Sequence, residues 1–190
     1  MEAWDVIVLG DGPAALHAAA EAAKTGVSTL MMSATGLGNP GTSALEGLSA
    51  PIQESNNRSH REDTIRCGAF LCDQDMVAET TAGAIKVVDL LERRGLNFRR
   101  DQQGLPMVRK APGHQQPRTV DAGSATALGL QQLGEEQCMR HGVIRRGDQV
   151  PLTLVHTNQS VEGMVAVDMI NGKVIGLQCK ALIIADEGYE

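Results

Sequence analysis

The chain has 190 residues, enough for one domain with a sizeable buried core, and its 42% hydrophobic residues place it among globular proteins. Lys+Arg 17 against Asp+Glu 23 give a net charge of -6 without a block of like charge, and aromatics are only 2%, so both the basic footprint and the stacking platforms of nucleic-acid binders are missing. No apolar run approaches the roughly 18 residues of a membrane span, and Met1-Glu2-Ala3-Trp4-Asp5 has no signal-peptide pattern, which together predict a cytoplasmic protein with no direct membrane insertion.

Asp5 to Leu9 reads as an apolar strand bounded by Gly10, and the alanine-rich stretch from Pro13 to Lys24 predicts a helix that leaves at Gly26. Ser28 to Met32 is a second apolar run too short for a helix, so the first 33 residues form a β-α-β unit. Ser33 to Gly68 lacks periodicity and reads as a long loop, a length that usually marks function. Asp73 or Asp75 caps a helix running to Arg94, with Ile85, Val88 and Leu91 on one face and Gly95 as its stop. A second loop from Asn97 to Asp121 precedes a helix over Ser124 to His141, in which Leu128, Leu133 and Cys138 point inward.

Beyond Gly142 the period changes to two. Val150, Leu152 and Leu154 alternate as a strand, Val161 to Ile170 and Lys173 to Cys179 flank Asn171-Gly172 as a type I′ hairpin, and Ala181 to Ala185 reads as a last buried strand. The fold class is therefore α/β, with a partly parallel sheet and a small antiparallel β-hairpin excursion. Cys67, Cys72, Cys138 and Cys179 form no C-x-x-C pair and no cluster with histidine, so no metal site is expected.

Gly10-Asp11-Gly12-Pro13-Ala14-Ala15 is a G-x-G-x-x-A turn between a predicted strand and a predicted helix, the context in which that motif binds a dinucleotide. Gly10 makes the tight turn and Gly12 admits the pyrophosphate. Pro13 and Ala14 open a helix whose amides and partial positive charge face the phosphates, while Ala15 permits close packing of helix on strand. The acidic residue expected at the end of the second strand is absent. Met31-Met32-Ser33 stands there, which leaves a ribose contact to the Ser33 hydroxyl or the backbone.

Gly41-Thr42-Ser43-Ala44-Leu45-Glu46-Gly47-Leu48-Ser49-Ala50 resembles the H-T-x-A-A-[QE]-G-G loop of succinate dehydrogenase and fumarate reductase flavoprotein subunits. The likeness continues in order through His60-Arg61-Glu62-Asp63-Thr64, Leu71 to Asp75, Gly95 to Arg100, Arg118-Thr119 and Val161 to Ala166. The resemblance implies a single Rossmann-like FAD-binding domain over residues 1–190, cut short before the capping domain. It implies FAD contacts at Gly10, Gly12, Pro13, Ala14, Ala15, Met32, Ser33, Thr42, Ser43, Ala44, Glu46 and Gly47, and at the backbone near Val150. Hydride transfer between a dicarboxylate and FAD, an iron–sulfur subunit and membrane anchor subunits as partners, and a peripheral position on the inner face of the cell membrane follow from the same resemblance.

Four departures qualify what carries over. Gly41 replaces the histidine that bonds covalently to flavin, so FAD is expected to be noncovalent; Leu48 replaces a glycine; Thr126-Ala127-Leu128 replaces the substrate segment T-G-H; and Ala185-Asp186-Glu187-Gly188 replaces A-T-G-G, setting two carboxylates near anionic phosphates. No catalytic residue is assigned, His17, His60, His114, His141 and His156 being scattered, and the isolated chain is expected to be inactive. The alternatives are an L-aspartate oxidase-like flavoprotein and a noncatalytic remnant or gene fragment that keeps the fold.

Overall fold

The computed structural model describes residues 2–36, 45–52, 57–124 and 126–186. In chain order the elements are β1 (Glu2–Leu9), α1 (Pro13–Lys24), β2 (Thr29–Met32), β3 (Leu48–Ser49), α2 (Asn57–Cys67), α3 (Gln74–Arg93), β4 (Thr119–Val120), α4 (Thr126–Arg140), β5 (Ile144–Arg146), β6 (Gln149–Thr157), β7 (Ser160–Asp168) and β8 (Lys173–Ile184). They belong to two compact units, one of Met1–Ser43 with Leu130–Glu190, the other of Ala44–Gly129.

The first unit is built on a six-stranded sheet of order β5-β2-β1-β8-β7-β6, parallel from β5 to β8 and antiparallel from β8 to β6. Strand alternation sends Val8 and Met31 to one face, where they pack with Ala15, Leu16 and Ala19 of α1 and with Cys138 of α4. Ile7, Leu9, Leu30 and Met32 face the other way, onto Met164, Ala166 and Leu177. With both faces covered, residues 6–9 of β1 and 30–32 of β2 are continuous apolar runs, as buried parallel strands are. β2 and β8 flank β1 on opposite sides, so the order reverses at β1 and opens a crevice beyond its carboxyl end, where ligands of such sheets bind.

The second unit contains α2, α3 and the short antiparallel pair β3–β4, in register Leu48 with Val120 and Ser49 with Thr119. Asp73 caps α3 by accepting from the Asp75 and Met76 amides. Val88, Leu96, Phe98 and Val120 are buried here, and so are Asp63, Thr81, Arg118 and Asp121.

Several sequence expectations need correction. The stretch read as one loop from Ser33 to Gly68 contains α2. It lacks an apolar stripe because the side chains it buries are His60 and Asp63, and Asp63 is held there by the Arg118 ion pair rather than by packing. In α3 the inward positions are Val77, Thr81 and Val88, with Ile85 and Leu91 only half-buried. Leu128 is more than half exposed, and α4 turns Ala127, Leu130, Leu133 and Cys138 inward instead. Leu152 and Leu154 are exposed; they lie on β6, the last strand of the sheet, where no buried cluster among the described residues covers them.

The β7–β8 hairpin forms, but its turn is not type I′. That turn requires positive φ at both central residues, and of Asn171-Gly172 only Gly172 has it; Asp168 closes a longer loop by accepting from the Ile170 and Asn171 amides. Ala181 to Ala185 is not a separate buried strand either. Residues 181–184 continue β8, whose first half pairs with β7 and whose second half pairs with β1, and they are half-buried or exposed.

Candidate cofactor site

The turn after β1 is fixed by close contact. Gly10 has φ +122°, and a Cβ there would lie 2.4 Å from the Ala185 carbonyl oxygen, so only glycine fits. Its amide donates to the Met32 carbonyl at 2.8 Å, while Ala185 donates to Leu9 at 2.8 Å, stitching the ends of β1, β2 and β8 together. Gly12, in contrast, has an ordinary extended backbone, and a Cβ on it would meet nothing within 4 Å. It is the N-cap of α1 and has no side-chain cap; Pro13 follows it and no acidic residue lies in the first turn.

The first amides of α1 therefore have neither helical acceptors nor a capping oxygen, and they face open space at the positive end of the helix dipole. That is the donor set and the clearance a pyrophosphate requires. Ala14 is exposed at this end, whereas Ala15 is fully buried against the sheet. The residues present thus fit the phosphate part of a dinucleotide.

Met32 buries its side chain in the core and offers only backbone to the crevice. Ser33 is buried; its amide donates to the Arg146 carbonyl at 3.0 Å, its carbonyl accepts from Gln149 at 2.9 Å, and its hydroxyl donates to Asp11 at 2.9 Å. Val150 follows Gln149 in β6, half-buried opposite Val167. Thr42, Ser43 and Ala44, together with Gly41 and Glu187, lie outside the described residues.

In the second unit, a Cβ on Gly47 would lie 2.7 Å from both the Thr119 methyl and the Val120 carbonyl oxygen, so this glycine lets its segment run against β4. The Glu46 side chain is exposed, and Arg109 donates to the Glu46 carbonyl at 3.1 Å with the carboxylate at 3.5 Å. Arg109 also reaches Asp121, which takes a bidentate pair of bonds from Arg99 at 2.7 and 2.8 Å. The Arg99 guanidinium holds the Asp121 carboxyl down at about 2, against the opposing effect of burial.

Behind this segment lies an ion pair between Arg118 and Asp63 at 2.7 Å, with the two side chains only 2% and 1% exposed. Asp63 also accepts from the Gln115 amide at 2.8 Å and side chain at 2.9 Å, and Arg118 donates to the Ser49 hydroxyl at 2.9 Å. Burial by itself would raise the Asp63 carboxyl; the Gln115 and Arg118 bonds outweigh it and hold it at about 2. Burial, and then the Arg118 charge, lower the neighbouring His60 to about 4. Asp11, Arg109 and Asp121 received no role from the sequence. For the last two no motif could have signalled one, because their meeting depends on loops without periodicity.

A family profile described as FAD binding domain matches residues 5–190. The chain is 26% identical to the succinate dehydrogenase flavoprotein subunit of Bacillus subtilis, over 99% of this chain and 34% of that protein. It is 30% identical to the L-aspartate oxidase of Mesorhizobium japonicum, over 96% of this chain and 36% of that protein. A solved structure of a point variant of E. coli quinol fumarate reductase FrdA superposes with a TM-score of 0.89 at 25% identity, covering 99% of this chain and 33% of that one.

Fold and turn thus define a dinucleotide-binding α/β protein whose cofactor is FAD. More narrowly, the chain belongs to the FAD binding domain family, with its likeness running to the flavoprotein subunits of succinate dehydrogenase and fumarate reductase. It spans about a third of the length of the curated relatives it matches.

Proposed function

We propose that residues 1–190 serve as one FAD-binding domain of a flavin-dependent oxidoreductase of the succinate dehydrogenase/fumarate reductase type, which exchanges hydride with a dicarboxylate. The observation that carries this reading is the uncapped amino end of α1 with open space before Gly12. The unbroken family match across both units supports a single functional domain. When bound, FAD supplies the two-electron chemistry. Gly10, Gly12, Pro13, Ala14 and Ala15 hold its pyrophosphate, Met32, Ser33 and Val150 border the adenosine side, and Thr42, Ser43, Ala44, Glu46 and Gly47 follow the flavin as the family resemblance implies.

FAD is held noncovalently, because Gly41 offers no nucleophile, and acid precipitation releases it into the supernatant. An iron–sulfur subunit and membrane anchor subunits complete the assembly, a reading supported by relatives that are themselves flavoprotein subunits. Among the described residues no helix is long and apolar enough to cross a membrane. A second reading, a noncatalytic FAD-binding protein, is favoured by Leu128, an exposed apolar side chain where the family has histidine.

The test is FAD titration of apo protein, followed by quenching of flavin fluorescence, for the parent and Gly12→Val. A Cβ at Gly12 meets no protein atom within 4 Å and its backbone is extended, so the fold is expected to be retained while the branch fills the phosphate space and affinity falls at least tenfold. Equal affinities would remove this turn as the phosphate site, and the proposal with it.

A further inference from the structure

A dinucleotide-binding β-α-β unit ordinarily takes the adenosine ribose with an acidic side chain at the end of its second strand. Here β2 ends in Met32-Ser33, and no Asp or Glu occurs between Glu21 and Glu46. A carboxylate nevertheless reaches that place from another part of the chain. Asp11, the residue between the two glycines of the turn, accepts at one oxygen, Oδ2, from the Ser33 hydroxyl at 2.9 Å and the Thr35 hydroxyl at 2.6 Å.

The Thr35 amide donates to the Ser33 oxygen at 3.1 Å and the two hydroxyl oxygens lie 3.0 Å apart, so the carboxylate, both hydroxyls and the amide form one hydrogen-bonded cluster. Ser33 is buried and Thr35 is tied through its carbonyl to the Asp148 amide at 3.0 Å, which makes the support rigid. Oδ1 of Asp11 accepts no hydrogen bond among the described residues, and Asp11 itself is only half-buried. The result is an oriented acceptor with one oxygen spent on the protein and one open, at the carboxyl ends of β1 and β2.

We propose that Asp11, held by Ser33 and Thr35, is the group that accepts the ribose hydroxyls of the cofactor's ADP portion and so sets the selectivity of the site. The inference rests on the FAD reading above. A carboxylate accepts from a 2′- or 3′-hydroxyl but repels a phosphate in its place. The acidic residue is thus not lost from this unit; it has moved from the end of the strand into the turn.

An opposite role for Asp11 is conceivable on charge alone: standing next to the pyrophosphate cradle, it would simply weaken binding of any dinucleotide. The two roles differ in sign. Calorimetric titration of the apo protein with ADP, 2′-deoxy-ADP, 3′-deoxy-ADP and 2′-phospho-ADP separates them. The parent binds ADP about ten- to a hundredfold more tightly than at least one deoxy analogue, as a hydrogen bond to a charged acceptor requires, and rejects 2′-phospho-ADP.

Asp11→Asn weakens ADP and FAD binding and narrows the gap between ADP and the deoxy analogue. Ser33→Ala, which removes one of the two hydroxyls that hold the carboxylate, narrows the gap while retaining the charge. Equal affinity of the parent for ADP and both deoxy analogues overturns the proposal, as does tighter FAD binding by Asp11→Asn. If the parent binds neither FAD nor ADP, the FAD reading itself fails; if it binds FAD without discriminating the analogues, only the role of Asp11 fails.

Discussion

The two units of the chain are stabilised by different physics, and the difference explains which of them can be read from sequence. Both apolar core clusters among the described residues lie in the first unit, stacked on either face of the β2-β1-β8 sheet. The largest fully buried side chain belongs to the second unit and is an arginine, Arg118, paired with a buried aspartate. Apolar packing degrades gradually when a side chain is trimmed, because neighbours relax into the space. A buried charge pair fails abruptly when one partner goes, because the other is left without water or counter-charge.

The largest effect is therefore expected in the second unit. Arg118→Met leaves the Asp63 charge buried with its Gln115 bonds and the half-exposed Arg66 at 3.2 Å, and costs about 4 kcal/mol in urea denaturation followed by circular dichroism. Adding Asp63→Leu to Arg118→Met recovers most of that loss, since an apolar pair of similar volume needs no counter-charge. A double variant no better than the single one would show that the pair is not the unit of stability here. In the first unit, Leu16→Ala costs about 3 kcal/mol: Leu16 is fully buried, packed so closely that a Cβ on Gly134 would lie 2.8 Å from its own Cβ. No second substitution at a charged residue repairs it.

The same contrast decides what the sequence reveals. The β1-α1-β2 unit, the Gly10–Ala15 turn and the two β-strands around Gly172 are legible because their signals are local: an apolar run, a glycine at a fixed offset, an alanine-rich face. α2 is hidden because its inward residues are His60 and Asp63, and a helix with a polar buried face has the pattern of a loop. Arg99, Arg109 and Asp121 are hidden because hydrogen bonds over long chain separations leave no period. Asp11 is the sharpest case within the cofactor site. In sequence it is the variable residue of a motif, and only the fold brings it to the end of β2, where the unit's missing carboxylate belongs.

The third prediction sets the units apart by pH. His60 has its titration lowered from the ordinary 6.5 to about 4, so the folded chain resists a proton that the unfolded chain accepts. As pH falls from 6.5 to 4 the unfolded state binds more protons, and stability declines across that window. Asp63 and Asp121 act lower down: each sits near 2 when folded against an ordinary 3.8, so their contribution is complete above about 4 and is lost as pH drops toward 2. Urea midpoints measured from pH 7 to pH 4 fall for the parent and fall less for His60→Gln. An unchanged slope in the variant would assign the acid sensitivity elsewhere. The apolar clusters of the first unit contain no titrating group in this range, so Leu16→Ala lowers the curve without changing its slope.

The smallest effect concerns Asp186, and its value lies in its sign. The chain enters this residue directly from β8 through Ala185, whose carbonyl oxygen abuts Gly10, and the Asp186 amide nitrogen lies 3.1 Å from where a Cβ on Gly10 would be. Asp186 is exposed, and among the described residues it has no counterpart to the two hydroxyls that hold Asp11. A carboxylate beside the phosphate cradle that no described residue orients acts on the cofactor as charge, and water weakens that action without abolishing it. Asp186→Asn is therefore expected to tighten FAD binding by about two- to fivefold in low salt, the reverse of the effect of Asp11→Asn. Salt provides the control: the screening length falls from about 10 Å at 0.1 M to about 3 Å at 1 M, so the gain at Asp186 shrinks toward nothing as salt is added. The loss at Asp11 persists, because it is a directed hydrogen bond rather than a field. Fluorescence titrations of both variants at the two salt concentrations read this difference. Weaker binding by Asp186→Asn, or a gain that survives 1 M salt, would mean that Asp186 contacts the cofactor directly and that the two carboxylates flanking the turn play the same part.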